Sequence, residues 1–262
     1  MHQDVTYEVD QRQVALITLN RAEKHNAFND AMISTLTHYF EKAAQDSQVR
    51  AVVLKAEGKS FSAGADAQWM KKMASYSEQE NHADAMKLAT MLHTLYSLPK
   101  TTIARVQGAA FGGAVGLIAC CDIAVAVEGA LFSLTEVLLG LLPATISPFV
   151  LRSIGPSNAR RVMLNAHRFS AEEAVNLGLI SKAVSADKLD EAIEKEINEL
   201  LRCAPEAVSA AKRLIAEVRD KEPDDVRSAT IEKLANAWES ESIKEGIDAF
   251  FSKRKPAWNP EA

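Results

Sequence analysis

The amino-acid sequence predicts an α/β fold, on three observations. Short β-branched runs alternate with segments of helical period through the first half, and the last third is almost wholly helical in pattern. The composition is that of an ordinary globular chain: of 262 residues, 47% are hydrophobic and 25% charged, enough for one large domain or a core with a small appendage.

Val5-Thr6-Tyr7-Glu8-Val9 and Val14-Ala15-Leu16-Ile17-Thr18-Leu19 are β-rich runs joined through the polar Asp10-Gln11-Arg12-Gln13, a hairpin pattern. Asn29 or Asp30 caps a helix running to about Asp46, since Ile33, Leu36, Phe40 and Ala44 recur at helical spacing. Ala51-Val52-Val53-Leu54 reads as a buried strand. Residues 77–96 read as a helix with Met91, Leu92 and Leu95 on its apolar face. Pro99 and Thr101-Thr102-Ile103 mark the next strand, and Ile123-Ala124-Val125-Ala126-Val127 another. From Ser157 onward, helices are expected over about 157–166, 170–177, 187–203, 205–220, 223–239 and 243–251, with a short strand at 180–184. Ser170-Ala171-Glu172-Glu173 has the form of a capping box. A core over 1–195 is thus followed by a helical region over 196–262 of the same domain, which packs back on the core or onto another subunit.

The net charge of -5 and pI near 5.8 argue against a nucleic-acid surface, and the first dense basic run is Lys253-Arg254-Lys255. The uncharged run over 106–121 is shorter than the roughly 20 apolar residues of a membrane span, and glycines interrupt it. A second run, 137–151, is broken by Pro143 and Pro148, and both runs read as buried core. Three cysteines, two of them adjacent at Cys120 and Cys121, give no disulfide framework and read as small apolar residues in a reducing compartment. Met1-His2-Gln3-Asp4-Val5 has neither a basic start nor an apolar run, so no signal or transit peptide is expected, and the expected location is cytoplasmic.

Several motifs fail on inspection. Gly58-Lys59-Ser60 resembles the end of a phosphate-binding loop, but Val53 stands where that loop needs glycine. Phe111 occupies the first glycine position of a dinucleotide fingerprint, and Ser60 the first of a nucleophile elbow around Ser62. His2, His25, His38, His82, His93 and His167 show no paired metal-ligand spacing, so no metal site is expected.

Two glycine-containing turns remain, Phe61-Ser62-Ala63-Gly64-Ala65-Asp66 and Phe111-Gly112-Gly113, each joining a strand to a helix. Backbone N–H groups at a helix start, free of bulky Cβ atoms, can donate to a developing oxyanion. Two donors from separate turns can bracket one oxygen, as a thioester passing through an enolate requires. Either turn alone reads more readily as a packing device; both together, ahead of Leu131-Phe132-Ser133-Leu134-Thr135-Glu136-Val137-Leu138-Leu139-Gly140-Leu141-Leu142-Pro143, favour chemistry. Glu136 is flanked by Leu134, Val137, Leu138 and Leu139, which suits a half-buried carboxyl of raised pKa, though the same flanks fit an acid on the solvent face of a strand end.

These blocks, with Asn20-Arg21-Ala22-Glu23-Lys24-His25-Asn26-Ala27 before them and Phe250-Phe251-Ser252-Lys253-Arg254-Lys255-Pro256-Ala257-Trp258 at the end, resemble the crotonase (enoyl-CoA hydratase/isomerase) superfamily over essentially the whole chain. The resemblance implies a spiral of ββα units, C-terminal helices that assemble trimers or dimers of trimers, and an acyl-CoA substrate with no cofactor beyond the coenzyme A it carries. It implies an oxyanion hole from the N–H groups of Ala65 and Gly113, the latter following Gly112. Ala63, Asp66, Ala67 and Gln68 would line the groove for the coenzyme arm, and Lys24 and His25 would lie near the nucleotide. Phe250 and Lys253 would approach the adenine, often from a neighbouring subunit, while Trp69 and Met70 would shape the acyl pocket. Glu136 matches the second of two family glutamates; Gly116 stands where the first would be.

Gly112-Gly113-Ala114-Val115-Gly116-Leu117 and Pro143-Ala144-Thr145-Ile146-Ser147-Pro148-Phe149-Val150 resemble the bacterial methylglutaconyl-CoA hydratase subgroup of leucine breakdown and its isoprenoid-catabolism relative. The expected reaction is reversible hydration of a branched α,β-unsaturated acyl-CoA, with Glu136 relaying a proton. A second proton-handling group would be water, a hydroxyl such as Thr145 or Ser147, or the substrate's own carboxylate. A 3-enoyl to 2-enoyl-CoA isomerase using Glu136 alone is the same-family alternative. A non-catalytic acyl-CoA- or RNA-binding homologue is the remoter one, and the acidic balance weakens its RNA form.

Overall fold

The computed structural model of the chain describes residues 3–259; Met1 and His2 of the N-terminal segment and residues 260–262 of the C-terminal region lie outside them. β1 (Val5–Val9) and β2 (Val14–Leu19) form the expected antiparallel hairpin, with Asp10 accepting from the backbone N–H groups of Arg12 and Val14. Asn29 is the cap of α1 (Asp30–Gln45): its side chain accepts from Met32 N at 2.8 Å, and Met32, Ile33, Leu36, Phe40 and Ala43 are buried.

Next come β3 (Ala51–Ala56), β4 (Ser60–Ser62), α2 (Ala67–Met73) and α3 (Glu78–Tyr96). The unit then repeats as β5 (Thr101–Val106), β6 (Ala109–Phe111) and α4 (Gly113–Cys120), and again as β7 (Ile123–Val127), β8 (Leu131–Ser133) and α5 (Ser147–Met163). In each repeat the first strand enters a six-stranded sheet ordered β1-β2-β3-β5-β7 with β10 (Lys182–Val184) at its edge. The second, shorter strand enters a four-stranded sheet ordered β4-β6-β8 with β9 (Phe169–Ser170). Parallel pairing from β2 through β10 explains the continuous apolar runs, because strands covered on both faces need no polar alternation. The fold is therefore α/β, a spiral of ββα units.

Two tight approaches make the repeat possible. Gly108 connects β5 to β6; a Cβ there would lie 3.0 Å from the Lys59 carbonyl carbon and closer still to its oxygen, so successive turns pass backbone on backbone. The Gln107 amide donates to Gly58 O and Ser60 O, and the buried Asn26 amide to Glu57 O and Ser60 O, binding those turns together.

The structure corrects two expectations, the buried run at 137–151 and the full capping box at Ser170. Residues 137–151 are not one buried run: Leu138, Leu139, Leu141 and Leu142 are exposed by 70, 63, 55 and 72%, whereas Ile146, Phe149 and Val150 are buried. The reason is local, because Glu136–Leu139 forms a single 3-10 turn ended by left-handed Gly140 and offers no continuous face to the core. α5 is two helical limbs meeting at a kink, where Gly155 (φ 73) is non-helical before Pro156; the second limb is the helix expected from 157, and the first, from Ser147, carries Pro148 in its first turn, where a missing N–H costs nothing. The capping box at Ser170 is half formed. Ser170 Oγ accepts from Glu173 N at 3.2 Å, but the Glu173 carboxylate turns to Arg161 and His167 instead. After α6 (Ala171–Leu177), α7 (Leu189–Leu201) straddles the boundary expected at 195. Leu189, Ala192 and Ile193 before it and Ile197 and Leu201 after it are all buried.

α8 (Pro205–Val218), α9 (Pro223–Ala237) and α10 (Glu241–Phe251) follow: the first two have no fully buried residue and the third only Ala249. Arg50 ties this tail down, its guanidinium donating to Leu201 O, Cys203 O and Trp258 O at 2.9, 2.9 and 2.6 Å. Cys120 is buried, Cys121 half-buried and Cys203 exposed, and none is in a disulfide. Burial pushes the Cys121 thiol up to about 12, which suits packing rather than thiolate chemistry. Among the described residues no helix is long and apolar enough to cross a membrane.

Gly108→Ala is expected to lower stability by about 2–3 kcal/mol through overpacking against the Lys59 backbone. Gly129→Ala, where an added Cβ meets nothing within 4 Å, is the control, expected within about 0.5 kcal/mol of wild type. Urea unfolding of both variants checks the contrast.

Candidate active site

The two glycine turns meet. β4 pairs with β6 in parallel, so the turn at 63–66 and the turn at 111–113 leave the small sheet side by side. Gly64 (φ 88) packs so that a Cβ would lie 2.9 Å from Phe111 O, and Gly112 takes φ 53. Phe28 joins them. Its backbone bridges Ala65, with Phe28 N donating to Gly64 O at 2.7 Å and Asp66 N to Phe28 O at 2.8 Å. Its ring meanwhile faces Gly113, where an added Cβ would lie 3.4 Å from Cε2.

At each turn one N–H next to the donor is already spent. Asp66 N is bonded to Phe28 O and Gly112 N to Ser133 O, while among the described residues neither Ala65 N nor Gly113 N has an acceptor. Gly113 opens α4, so its N–H is one of the four that no helix can satisfy internally.

Asp66 holds the first turn. Its Oδ1 caps α2 by accepting from Gln68 N and Trp69 N at 2.8 and 3.1 Å, and its Oδ2 accepts from Arg21 Nη1 at 2.8 Å. Burial alone would raise this carboxyl's pKa, but the Trp69 N–H, the Arg21 guanidinium and the Gln68 N–H outweigh it and hold it below the ordinary value. Ala63 N donates to His25 O, and His25 Nδ1 lies 3.1 Å from Ser60 Oγ, which seats the 21–28 loop against the turn. Ala63, Ala65, Ala67 and Gln68 are exposed along this edge, as are Lys24 and His25, whereas Asp66 and Trp69 are buried and Met70 is half-buried. The Trp69 Nε1 is buried without a partner.

Glu136 approaches the second turn: a Cβ on Gly112 would lie 3.2 Å from its Oε1, so the carboxyl sits over the start of α4. The other oxygen, Oε2, is buried and unpartnered. Burial raises the pKa of this carboxyl, only partly opposed by a hydrogen bond from its own backbone N–H. Of the two hydroxyls considered for a second proton, Ser147 Oγ donates to Ala144 O at 2.8 Å, and Thr145 is half-buried.

Gly116 has a definite neighbour. A Cβ there would lie 2.7 Å from Ile146 Cβ and closer still to Cγ2, so the position without a glutamate is filled by an isoleucine. The departures at 116 and at 143–150 are two halves of one contact. Phe250 and Lys253 are not brought to the turns within the single chain: Phe250 is 77% exposed and Lys253 is exposed beyond it. Arg21, Asn26 and Ile146 lie in sequence blocks that carry the resemblance but have no role of their own there, and Phe28 has no sequence signal. Two open clefts of about 390 and 590 Å³ run beside β10, and the residues lining them include none of these.

Comparison with known proteins agrees on one family. Residues 10–261 match the family model described as enoyl-CoA hydratase/isomerase. The 2,3-dehydroadipyl-CoA hydratase of Escherichia coli is 31% identical over 248 residues, 94% of this chain and 95% of that relative. A crystal structure of an enoyl-CoA hydratase from Shewanella pealeana is 43% identical with a TM-score of 0.94, covering 98% of this chain and 96% of that one. Pseudomonas aeruginosa AtuE also has a TM-score of 0.94, at 34% identity, over 98% of this chain and 100% of its own.

The raised Glu136 pKa carries a sign for stability. Between its unfolded and folded values the native state holds the proton more tightly, so this group's contribution is lost as pH rises through the folded value. Glu136→Gln is therefore expected to melt above wild type at pH 8, with the gap closing as pH falls below about 4.5, the ordinary glutamate value. Thermal melts across that range check it.

Proposed function

The chain belongs to the enoyl-CoA hydratase/isomerase family, and from that premise we propose that it adds water reversibly across the double bond of a branched α,β-unsaturated acyl-CoA, of the 3-methylglutaconyl-CoA kind met in leucine and isoprenoid breakdown. The observation that carries this reading is the pair of unpartnered N–H groups on Ala65 and Gly113 beside the buried carboxyl of Glu136.

In this reading the thioester oxygen accepts from both N–H groups, which hold the enolate once the β-carbon is attacked; losing one such donor costs about 3 kcal/mol of barrier. Glu136, ionised, takes a proton from water as its oxygen bonds to the β-carbon. It then returns that proton to the α-carbon as the enolate collapses. Hydrogen and hydroxyl both end on the substrate and the carboxylate is restored, so one acid suffices for the cycle. A raised pKa suits both halves of that exchange near neutral pH.

The coenzyme arm would run along the exposed edge formed by Ala63, Ala67 and Gln68 past capped Asp66 toward Lys24 and His25. Trp69 and Thr145 would border the acyl end. Phe250 and Lys253 would reach the adenine from a neighbouring copy in a trimer or dimer of trimers. Exposed Ile215, Ile231, Leu234, Trp238 and Ile247 on the tail helices support such assembly. No cofactor is required beyond the coenzyme A of the substrate, and a reducing cytoplasm suits three cysteines outside any disulfide. The Escherichia coli relative is named for a dicarboxylic enoyl-CoA, which supports a substrate of that class.

A second reading, isomerisation of a 3-enoyl to a 2-enoyl-CoA, draws support from Ile146 on Gly116: moving a double bond needs only one carboxyl. Mass spectrometry separates the two, since hydration adds one water and isomerisation adds nothing.

On a panel of enoyl-CoA esters, the highest kcat/KM is expected for 3-methylglutaconyl-CoA or a similarly branched ester. Glu136→Gln is expected to lower kcat by about 10²–10⁴-fold. Turnover by that variant within a few-fold of wild type would overturn the catalytic assignment, and activity confined to short straight-chain esters would overturn the substrate.

A further inference from the structure

The loop that carries Glu136 has little to hold it. Between Glu136 and Ile146 only Pro143 is buried, and four of the intervening side chains are leucines facing solvent. Its internal bonds are short-range: Leu141 N donates to Glu136 O, Ala144 N to Leu142 O, and Ser147 N to Pro143 O. Such bonds shape the loop without fixing where it sits. Upstream it is anchored by Ser133 and Leu134, both buried. Downstream, past Pro143, the next buried apolar side chain is Ile146, 2% exposed, immediately before α5.

Ile146 is seated on the notch at Gly116. Gly116 lies one turn after Gly113, and residues three apart share a helix face. Helical Cα–Cβ bonds lean toward the N-terminus, so a side chain at 116 would rise toward Gly113 and the space beside Glu136. The root of that space holds the Ile146 side chain.

We propose that Ile146, seated on Gly116, is the positioning residue of the Glu136 loop: it fixes the carboxyl against Gly112 and closes to water the flank where residue 116 has no side chain. The proposal rests on the one-carboxyl reading above, and part of its test is independent of turnover.

A double-mutant cycle reads the contact. Gly116→Ala alone is expected to lower Tm because its Cβ meets Ile146, and Ile146→Gly alone because a buried side chain is lost. The double variant is expected to melt above the sum of the two losses; additive losses would overturn the contact. Positioning is read through Glu136. No charged side chain enters the pKa shift at Glu136, so that shift reports water access. At pH 8 the Tm gain from Glu136→Gln is expected to disappear when Ile146 is glycine, a measurement that needs no substrate; an undiminished gain would overturn the proposal. With an enoyl-CoA that wild type turns over, Ile146→Gly is expected to lower kcat about 10–100-fold at similar KM, the scale of a misplaced catalytic group. Its acid limb is expected to move to lower pH. Ile146→Val, which keeps Cγ2, is expected to restore kcat to near wild type. An Ile146→Gly enzyme with unchanged kcat and an unmoved limb would reduce Ile146 to packing alone. If no enoyl-CoA is turned over by wild type, the proposed function fails while the two melting experiments still decide this inference.

Discussion

The structure turns on one close approach, backbone against backbone, between the chain at Gly64 and the chain at Phe111–Gly112. A side chain on Gly64 would collide with Phe111 O, and its φ of 88° already favours glycine. Because the two turns pass so near, Phe28 can bond one with its backbone and press its ring on the other. Phe28 O takes the N–H of Asp66 and Ser133 O that of Gly112, and among the described residues those of Ala65 and Gly113 are left over. Dense bonding around the two turns holds them in place: Asn26 to two carbonyls, Arg21 to Asp66, and Asp66 to two N–H groups of α2.

Much of this was legible in the sequence, for a physical reason. The hairpin, the cap at Asn29, the glycine turns and the half-buried Glu136 are set by neighbours within a few residues, and local chemistry reports them. The repeat of a long strand, a short strand and a helix came from the resemblance, because runs as short as Ser60–Ser62 carry no periodic signal. Phe28 and Ile146 were not legible. Each acts on a glycine far along the chain, and a missing side chain does not say which residue fills its place. The leucines at 138, 139, 141 and 142 misled in the opposite direction, since a continuous apolar run suggests burial. A single 3-10 turn cannot deliver it.

The tail follows a different rule. α8 rests on the core only through half-buried residues such as Lys212, which bonds Lys100 O and Asp122, and α9 has no buried residue, yet α8 has the apolar spacing of a packed helix. Arg50, with three backbone carbonyls around its guanidinium, and Trp258, whose Nε1 donates to Arg202 O, fix where this region leaves the core. Helices held at their root with apolar side chains outward are built to meet another surface, which is where the proposed assembly draws its support.

Two carboxyls, one at each turn, show how the site divides its labour. Asp66 and Glu136 are both largely withdrawn from water, and burial pushes both pKa values up. Asp66 answers with two N–H groups and a guanidinium, ends below its ordinary value and remains an anion. It stabilises the fold above its unfolded pKa, and that contribution is lost as pH falls through the folded value. Glu136 has no such partners, ends above its ordinary value and destabilises the fold when ionised. Groups whose environments separate their pKa values in this way take different roles. Asp66 suits a fixed charge that caps a helix and aims a turn. Of the two, Glu136 is the one whose burial favours holding a proton, and it meets Gly112 rather than a charge. With Ile146 where a second acid could stand, the proposed proton transfer rests on Glu136.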